Sequence, residues 1–211
     1  MKNQLQIKTL IAYLIITISA LVMNLSLFEW RYALFPALLL IFPLLVFPKI
    51  EFKKVLQPTK EGAKLFVAIS FIVVLLFPCA YLAYFSVFIG KSLTTPNVME
   101  IYEAVKKGLL LTFLVAFPEE FFFRAFIQET ALKKHDRKFF FIITRKNMVT
   151  SILFGACHAI SFLNITRGAT FFPSLLFGWL TEKSGGRIFY PILFHAISNI
   201  LVFVLATFVK W

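Results

Sequence analysis

Long apolar runs separated by short polar connections dominate this chain. A helix that crosses hydrocarbon needs about 20 mostly apolar residues, with a range of roughly 17 to 25. Seven runs meet or approach that length, at roughly 9–28, 32–48, 65–89, 108–130, 148–163, 169–182 and 189–209. The first is longer than a signal-peptide core and has no clear small-residue cleavage site after it, so it reads as a retained helix. The sixth is short and is interrupted by Pro173 and Gly178, which predicts a broken or tilted helix. No internal repeat is visible, and no connection is long enough for a soluble domain. The pattern predicts an all-α, polytopic transmembrane helical bundle of about seven spans (six to eight), forming one membrane domain over 1–211.

Composition supports that reading. The chain is 60% hydrophobic and 15% charged, with a mean hydropathy of +0.85. A soluble domain of similar length would be about a quarter charged. The net charge of +12 raises nucleic acid as a partner, but the basic residues sit in the connections between apolar runs, where membrane orientation puts them. Nucleic-acid binding is set aside on that ground. Connections on one side hold fifteen Lys and Arg, including Lys49, Lys53, Lys54, Lys133, Lys134 and Arg137, and those on the other hold six. Positive loops stay cytoplasmic, which predicts a cytoplasmic N-terminus. The stretch 97–107 reads as an interfacial amphipathic turn on the outer face. Cys79 and Cys157 lie in apolar runs and form neither a disulfide nor a metal pattern.

Against this background, ionisable residues inside spans stand out, because a charge near the bilayer centre costs roughly 2.5 to 3.5 kcal/mol on insertion scales. The fourth span carries Pro118-Glu119-Glu120, the run Phe121-Phe122-Phe123, and Arg124. Glu120 and Arg124 are four apart and can pair on one helix face. Glu119 points about 100° away and has no local partner. Pro118 is expected to kink the helix where the carboxylates enter. The phenylalanine run reads as ordinary lipid-facing and packing surface. The fifth span carries Phe154 and His158, and the seventh carries His195 and Asn199, again four apart. At 1.5 Å rise per residue, Glu119, His158 and Asn199 lie roughly 16 Å from the cytoplasmic ends of their spans, and His195 about 10 Å.

Each of these residues alone has an ordinary structural explanation: an ion pair that pins a fold, or a histidine or asparagine bridging helices. Their convergence suggests chemistry. A carboxylate without a cation beside it suits general-base work. His158 could help it hold a water. His195 and Asn199 offer donors suited to a developing oxyanion. Base, water and oxyanion donors together describe hydrolysis of an acyl or peptide bond.

The three segments resemble the motifs of the CAAX-protease and bacteriocin-processing family of intramembrane proteases. That family pattern is EExxxR, FxxxH and HxxxN on successive helices. It stands here as Glu119-Glu120-x-x-x-Arg124, Phe154-x-x-x-His158 and His195-x-x-x-Asn199. The resemblance covers roughly 108–205, which would be the catalytic core, and leaves the first three spans undiagnosed. It implies an intramembrane endopeptidase in which Glu119 activates water with His158, and His195 and Asn199 form the oxyanion site. Glu120 and Arg124 would support the motif helix, and Phe154 would pack beside the site. No cofactor is favoured. Zinc held by Glu119, His158 and His195 is the alternative.

The implied partners are the lipid bilayer and a protein or peptide substrate, lipid-modified or membrane-anchored. The small size points to the cell membrane of a prokaryote. Two rivals stay open at this point. A proton-coupled transporter would use the same residues as a relay, and a non-catalytic membrane scaffold would keep the fold and tolerate replacement of Glu119.

Overall fold

The computed structural model describes residues 2–25, 31–47, 50–140 and 142–210. The predicted ends of the first two spans, at 28 and 48, lie outside the described residues, as does Lys49. The described residues form an all-α bundle: α1 (Lys2–Leu25), α2 (Arg31–Val46), a short α3 (Phe52–Val55), α4 (Lys60–Ala83), α5 (Val98–Leu111), α6 (Phe117–Glu120), α7 (Arg145–Ser161), α8 (Phe171–Lys183) and α9 (Phe189–Ala206). A small antiparallel hairpin, β1 (Lys138–Phe140) and β2 (Ile143–Thr144), sits in the connection before α7. Strands this short carry too few residues to leave an alternating pattern in sequence.

This is a membrane protein. Among the described residues, three helices are long and apolar enough to cross a bilayer by length and composition: Gln4–Leu25, Lys60–Phe88 and Phe189–Ala206. Helices α7 and α8, at 17 and 13 residues, are shorter. Along α4, Val67, Phe71, Ile72, Leu75 and Leu76 all point outward. In water that surface would be a liability, whereas in hydrocarbon it costs nothing.

The fourth predicted span is the central rod, and it differs from expectation at both ends of its apolar run. Residues 98–107, expected as an interfacial turn, are the opening turns of α5. Asn97 caps the helix by accepting from the Glu100 amide at 2.9 Å, and the Glu100 carboxylate accepts from the Asn97 amide at 2.8 Å. This reciprocal pair satisfies two amide donors that a helix start leaves open. The helix then continues through Ala131 by alternating ordinary and widened turns: Thr112–Ala116 and Phe121–Ala131 are wound as π-helix on either side of α6. Pro118 explains the first of these. It lacks an N–H and crowds the carbonyl four residues back, and a widened turn relaxes that clash without ending the helix. Widened turns of this kind concentrate at functional sites.

Two further expectations change. Phe121, Phe122 and Phe123 are not lipid-facing: all three are buried inside the protein, 1% exposed or less. Phe121 stacks on Phe52 of α3 at 4.8 Å, while Phe122 and Phe123 join a core with Ala12, Tyr13 and Ile16 of α1, Leu39 of α2 and Phe154 of α7. Within the sixth predicted span, residues 169–170 close a 3-10 helix and 171–182 run unbroken as α8, through both Pro173 and Gly178. Pro173 falls in the first turn of α8, where a missing N–H costs little, and Gly178 serves as a packing notch. A Cβ there would stand 2.0 Å from Asn147 Oδ1 and 2.7 Å from Gln128 Oε1. Gly178 therefore lets α8 sit against α7 and the central rod together.

Candidate active site

The central rod, α7 and α9 bring the three sequence motifs to one place. Glu119 and Glu120 leave the rod on adjacent faces just after Pro118, and both are buried. Glu120 Oε2 accepts from Arg124 Nε at 3.1 Å, the intrahelical pair expected from the spacing. Its other oxygen, Oε1, accepts from His195 Nδ1 of α9 at 3.0 Å. That contact was not expected from the sequence, and it ties the supposed structural pair to the site itself. It also brings His195 level with the carboxylates instead of a turn away.

Glu119 lies between two imidazoles. His158 Nε2 is 3.8 Å from Oε1, and His195 Nε2 is 3.9 Å from Oε2. Both separations exceed a direct hydrogen bond. Oε2 is buried and has no hydrogen-bond partner. The ring tautomers follow from the opposite nitrogens. His158 Nδ1 donates to the Phe154 carbonyl at 3.0 Å, and His195 Nδ1 donates to Glu120. In the neutral rings, both Nε2 atoms therefore turn lone pairs toward the Glu119 carboxylate. A water molecule has two O–H groups and can serve a carboxylate and an imidazole at once, which matches the acceptors that face each other here.

Aromatic rings fix these side chains. Phe177 of α8 stacks on His195 at 4.7 Å with the rings 16° apart. Phe154 contacts the His158 ring at 4.4 Å and meets His195 edge-on at 6.3 Å. Phe154 thus packs against both imidazoles. Asn199, one turn beyond His195, is half-buried, and its side chain forms no hydrogen bond among the described residues.

Sequence reasoning missed the polar groups that hold Arg124. Its Nη2 donates to Ser174 Oγ of α8 at 2.6 Å, and its Nη1 to Gln128 Oε1 at 3.5 Å. Gln128 Nε2 in turn donates to the Gly178 carbonyl at 3.0 Å. The guanidinium also lies over the Phe154 and Phe177 rings, at 5.5 and 6.0 Å. A fully buried guanidinium needs this many partners, because a desolvated charge left short of them costs several kcal/mol. Gln128 was within reach of the sequence, since it continues the four-residue stripe from Glu120 through Arg124. Ser174 was not, because nothing local marks it.

The donor types suit zinc: two neutral imidazoles with anchored Nδ1 atoms, and a carboxylate. As the side chains stand, the two Nε2 atoms lie 3.8 and 3.9 Å from the Glu119 oxygens, and among the described residues no group of three His, Cys, Asp or Glu is drawn together around an ion.

Comparison with known proteins agrees with the motifs. Residues 102–201 match the family described as type II CAAX prenyl endopeptidase Rce1-like, a stretch that contains every residue of the site. No curated protein and no solved structure matches the chain.

Proposed function

Because residues 102–201 match the type II CAAX prenyl endopeptidase Rce1-like family, we propose that the chain hydrolyses a peptide bond in a membrane-associated or C-terminally processed protein, using a water activated by Glu119. The observation that carries this is the Glu119 carboxylate, set with one oxygen toward each of two imidazole Nε2 atoms, its buried Oε2 without a hydrogen-bond partner. The direct ion pair with Arg124 belongs to Glu120, which leaves Glu119 facing the two imidazoles alone.

In this reading, water bridges Glu119 and the His158 Nε2 lone pair. Glu119 takes the proton as the water oxygen attacks the carbonyl carbon. The oxyanion that develops meets the free amide of Asn199. His195 Nε2 can donate to it only when the ring is doubly protonated, because its single neutral proton is committed to Glu120. Collapse of the tetrahedral intermediate breaks the C–N bond, and Glu119 returns the proton to the leaving amine. Glu120 and Arg124 hold His195 in place. General-base catalysis of this kind contributes roughly 10² to 10⁴-fold in rate, with oxyanion donors adding about 10² to 10³. No step needs a metal.

The catalytic core is 108–205, and the protein resides in the cell membrane. Substrates are protein or peptide chains held at the bilayer by a lipid modification or an anchor. The test is cleavage by purified protein in liposomes, offered a prenylated C-terminal peptide and an unprenylated membrane-anchored one, with the products identified by mass. Cleavage of either, lost in His158→Ala, is expected. Absence of cleavage with both, or full turnover in His158→Ala, contradicts the proposal.

A further inference from the structure

The connection between the central rod and α7 carries charge and apolar surface that the proposed hydrolysis does not use. It runs from Lys133 to Thr144 and contains the β1–β2 hairpin. Lys133, Lys134, Arg137, Lys138 and, at the start of α7, Arg145 are all exposed, with Asp136 as the one acid among them. Among the described residues, none of these five cations pairs with a carboxylate. Between Lys138 and Thr144 the sequence reads Phe139-Phe140-Phe141-Ile142-Ile143. Such an apolar run in a connection is out of place unless it meets an apolar partner, and Phe139 is 61% and Ile142 58% exposed.

The hairpin is firmly tied to the helix ends. The Arg145 amide donates to the Arg137 carbonyl and the Lys146 amide to the His135 carbonyl, each at 2.9 Å, so the connection is laced to the first turn of α7. Thr144 accepts from the Asn147 amide at 3.2 Å as the N-cap of α7, and its hydroxyl donates to Glu182 at the end of α8. Lys146 spends its ammonium on Glu129 of the rod, at 2.7 and 2.8 Å. That basic residue faces inward, and its five neighbours face out.

The hairpin also sits at a defined depth. The connection joins two helices of the bundle, at Ala131 and Arg145. A strand of three residues reaches only about 10 Å, and headgroups add roughly 5 to 8 Å to each face of the hydrocarbon core. The apolar run is thus within reach of the headgroup layer, on the side where Lys and Arg are concentrated and the cytoplasm is expected.

We propose that residues 133–145 form a docking surface for anionic phospholipids of the adjoining leaflet. The five cations meet lipid phosphates, and Phe139 and Ile142 enter the interfacial layer beneath them. The inference stands apart from the endopeptidase reading, since it concerns a different face of the molecule and needs no turnover.

The experiment places a reporter in the hairpin of the full chain. In a Cys79→Ser background, where Cys157 is buried, Phe139→Cys is labelled with an environment-sensitive nitrobenzoxadiazole dye. The protein is reconstituted in nanodiscs of phosphatidylcholine alone, or of phosphatidylcholine and phosphatidylglycerol in equal parts. Emission is expected to shift to the blue and rise roughly twofold or more with phosphatidylglycerol, and to fall back as salt is raised. The response should vanish when Lys133→Gln, Lys134→Gln, Arg137→Gln and Lys138→Gln are added together, with Cys157 still protected from maleimide as evidence of folding. Equal emission in the two lipid compositions, or a response that persists in the charge-neutral variant, overturns the proposal. Emission that ignores the lipid but rises with soluble polyglutamate assigns the surface to an acidic protein, which overturns it too.

Discussion

Gly178→Ala sets helix propensity against packing. In an isolated helix, the change from glycine to alanine stabilises by about 1 kcal/mol. Here the added Cβ would stand 2.0 Å from Asn147 Oδ1, 2.6 Å from Asn147 Cγ and 2.7 Å from Gln128 Oε1. Neither amide can simply rotate away. Asn147 Nδ2 donates to the Leu175 carbonyl at 3.0 Å, its Oδ1 accepts from Ser151 at 3.1 Å, and Gln128 donates to the Gly178 carbonyl. Overpacking costs about 1 to 3 kcal/mol, and each displaced hydrogen bond adds about 1. After the propensity gain, the net loss is roughly 2 to 4 kcal/mol, or a fall in unfolding midpoint of about 5 to 15 °C for a chain of this size. The assay can use a thiol built into the molecule. In a Cys79→Ser background, buried Cys157 becomes reactive toward a fluorogenic maleimide only when the bundle opens. An unchanged or raised midpoint would refute the reasoning, by showing that the amides yield and propensity wins.

Other outcomes follow from the same geometry. Glu120→Gln removes the charge partner of a fully buried Arg124, so it should destabilise by about 3 to 5 kcal/mol, read by the same thiol assay. Glu119→Gln, which breaks no ion pair to Arg124, should leave the midpoint within about 1 kcal/mol of the parent. Ser174→Ala takes one acceptor from Arg124, and should lower kcat at least fivefold with little change in KM, while Ser174→Thr restores most of it. Extensive dialysis against a chelator should leave turnover unchanged; loss that zinc restores would assign the carboxylate and the two imidazoles to a metal instead.

Much of the fold was legible because lipid imposes long apolar runs, and runs can be read without knowing how they pack. The intrahelical pair Glu120–Arg124 was legible for the same kind of reason, as its geometry is fixed by four-residue spacing. Contacts between helices were harder. They depend on how each helix is rotated about its axis, and helices that are apolar nearly all round leave that rotation unmarked. The His195–Glu120 bond and the Arg124–Ser174 bond both fall in this class. The phenylalanine run looked like lipid surface because the sequence cannot separate burial in protein from burial in hydrocarbon. Gly178 looked like an interruption because its purpose, room for two amides from other helices, exists only in the packed bundle.

The central claim is that Glu119 activates the attacking water while Glu120 holds the architecture. Single-turnover cleavage by purified Glu119→Gln, with its thermal midpoint measured on the same sample, tests this most directly. The account predicts a rate loss of roughly 10³-fold or more with the midpoint retained. Turnover within tenfold of the parent enzyme would contradict it.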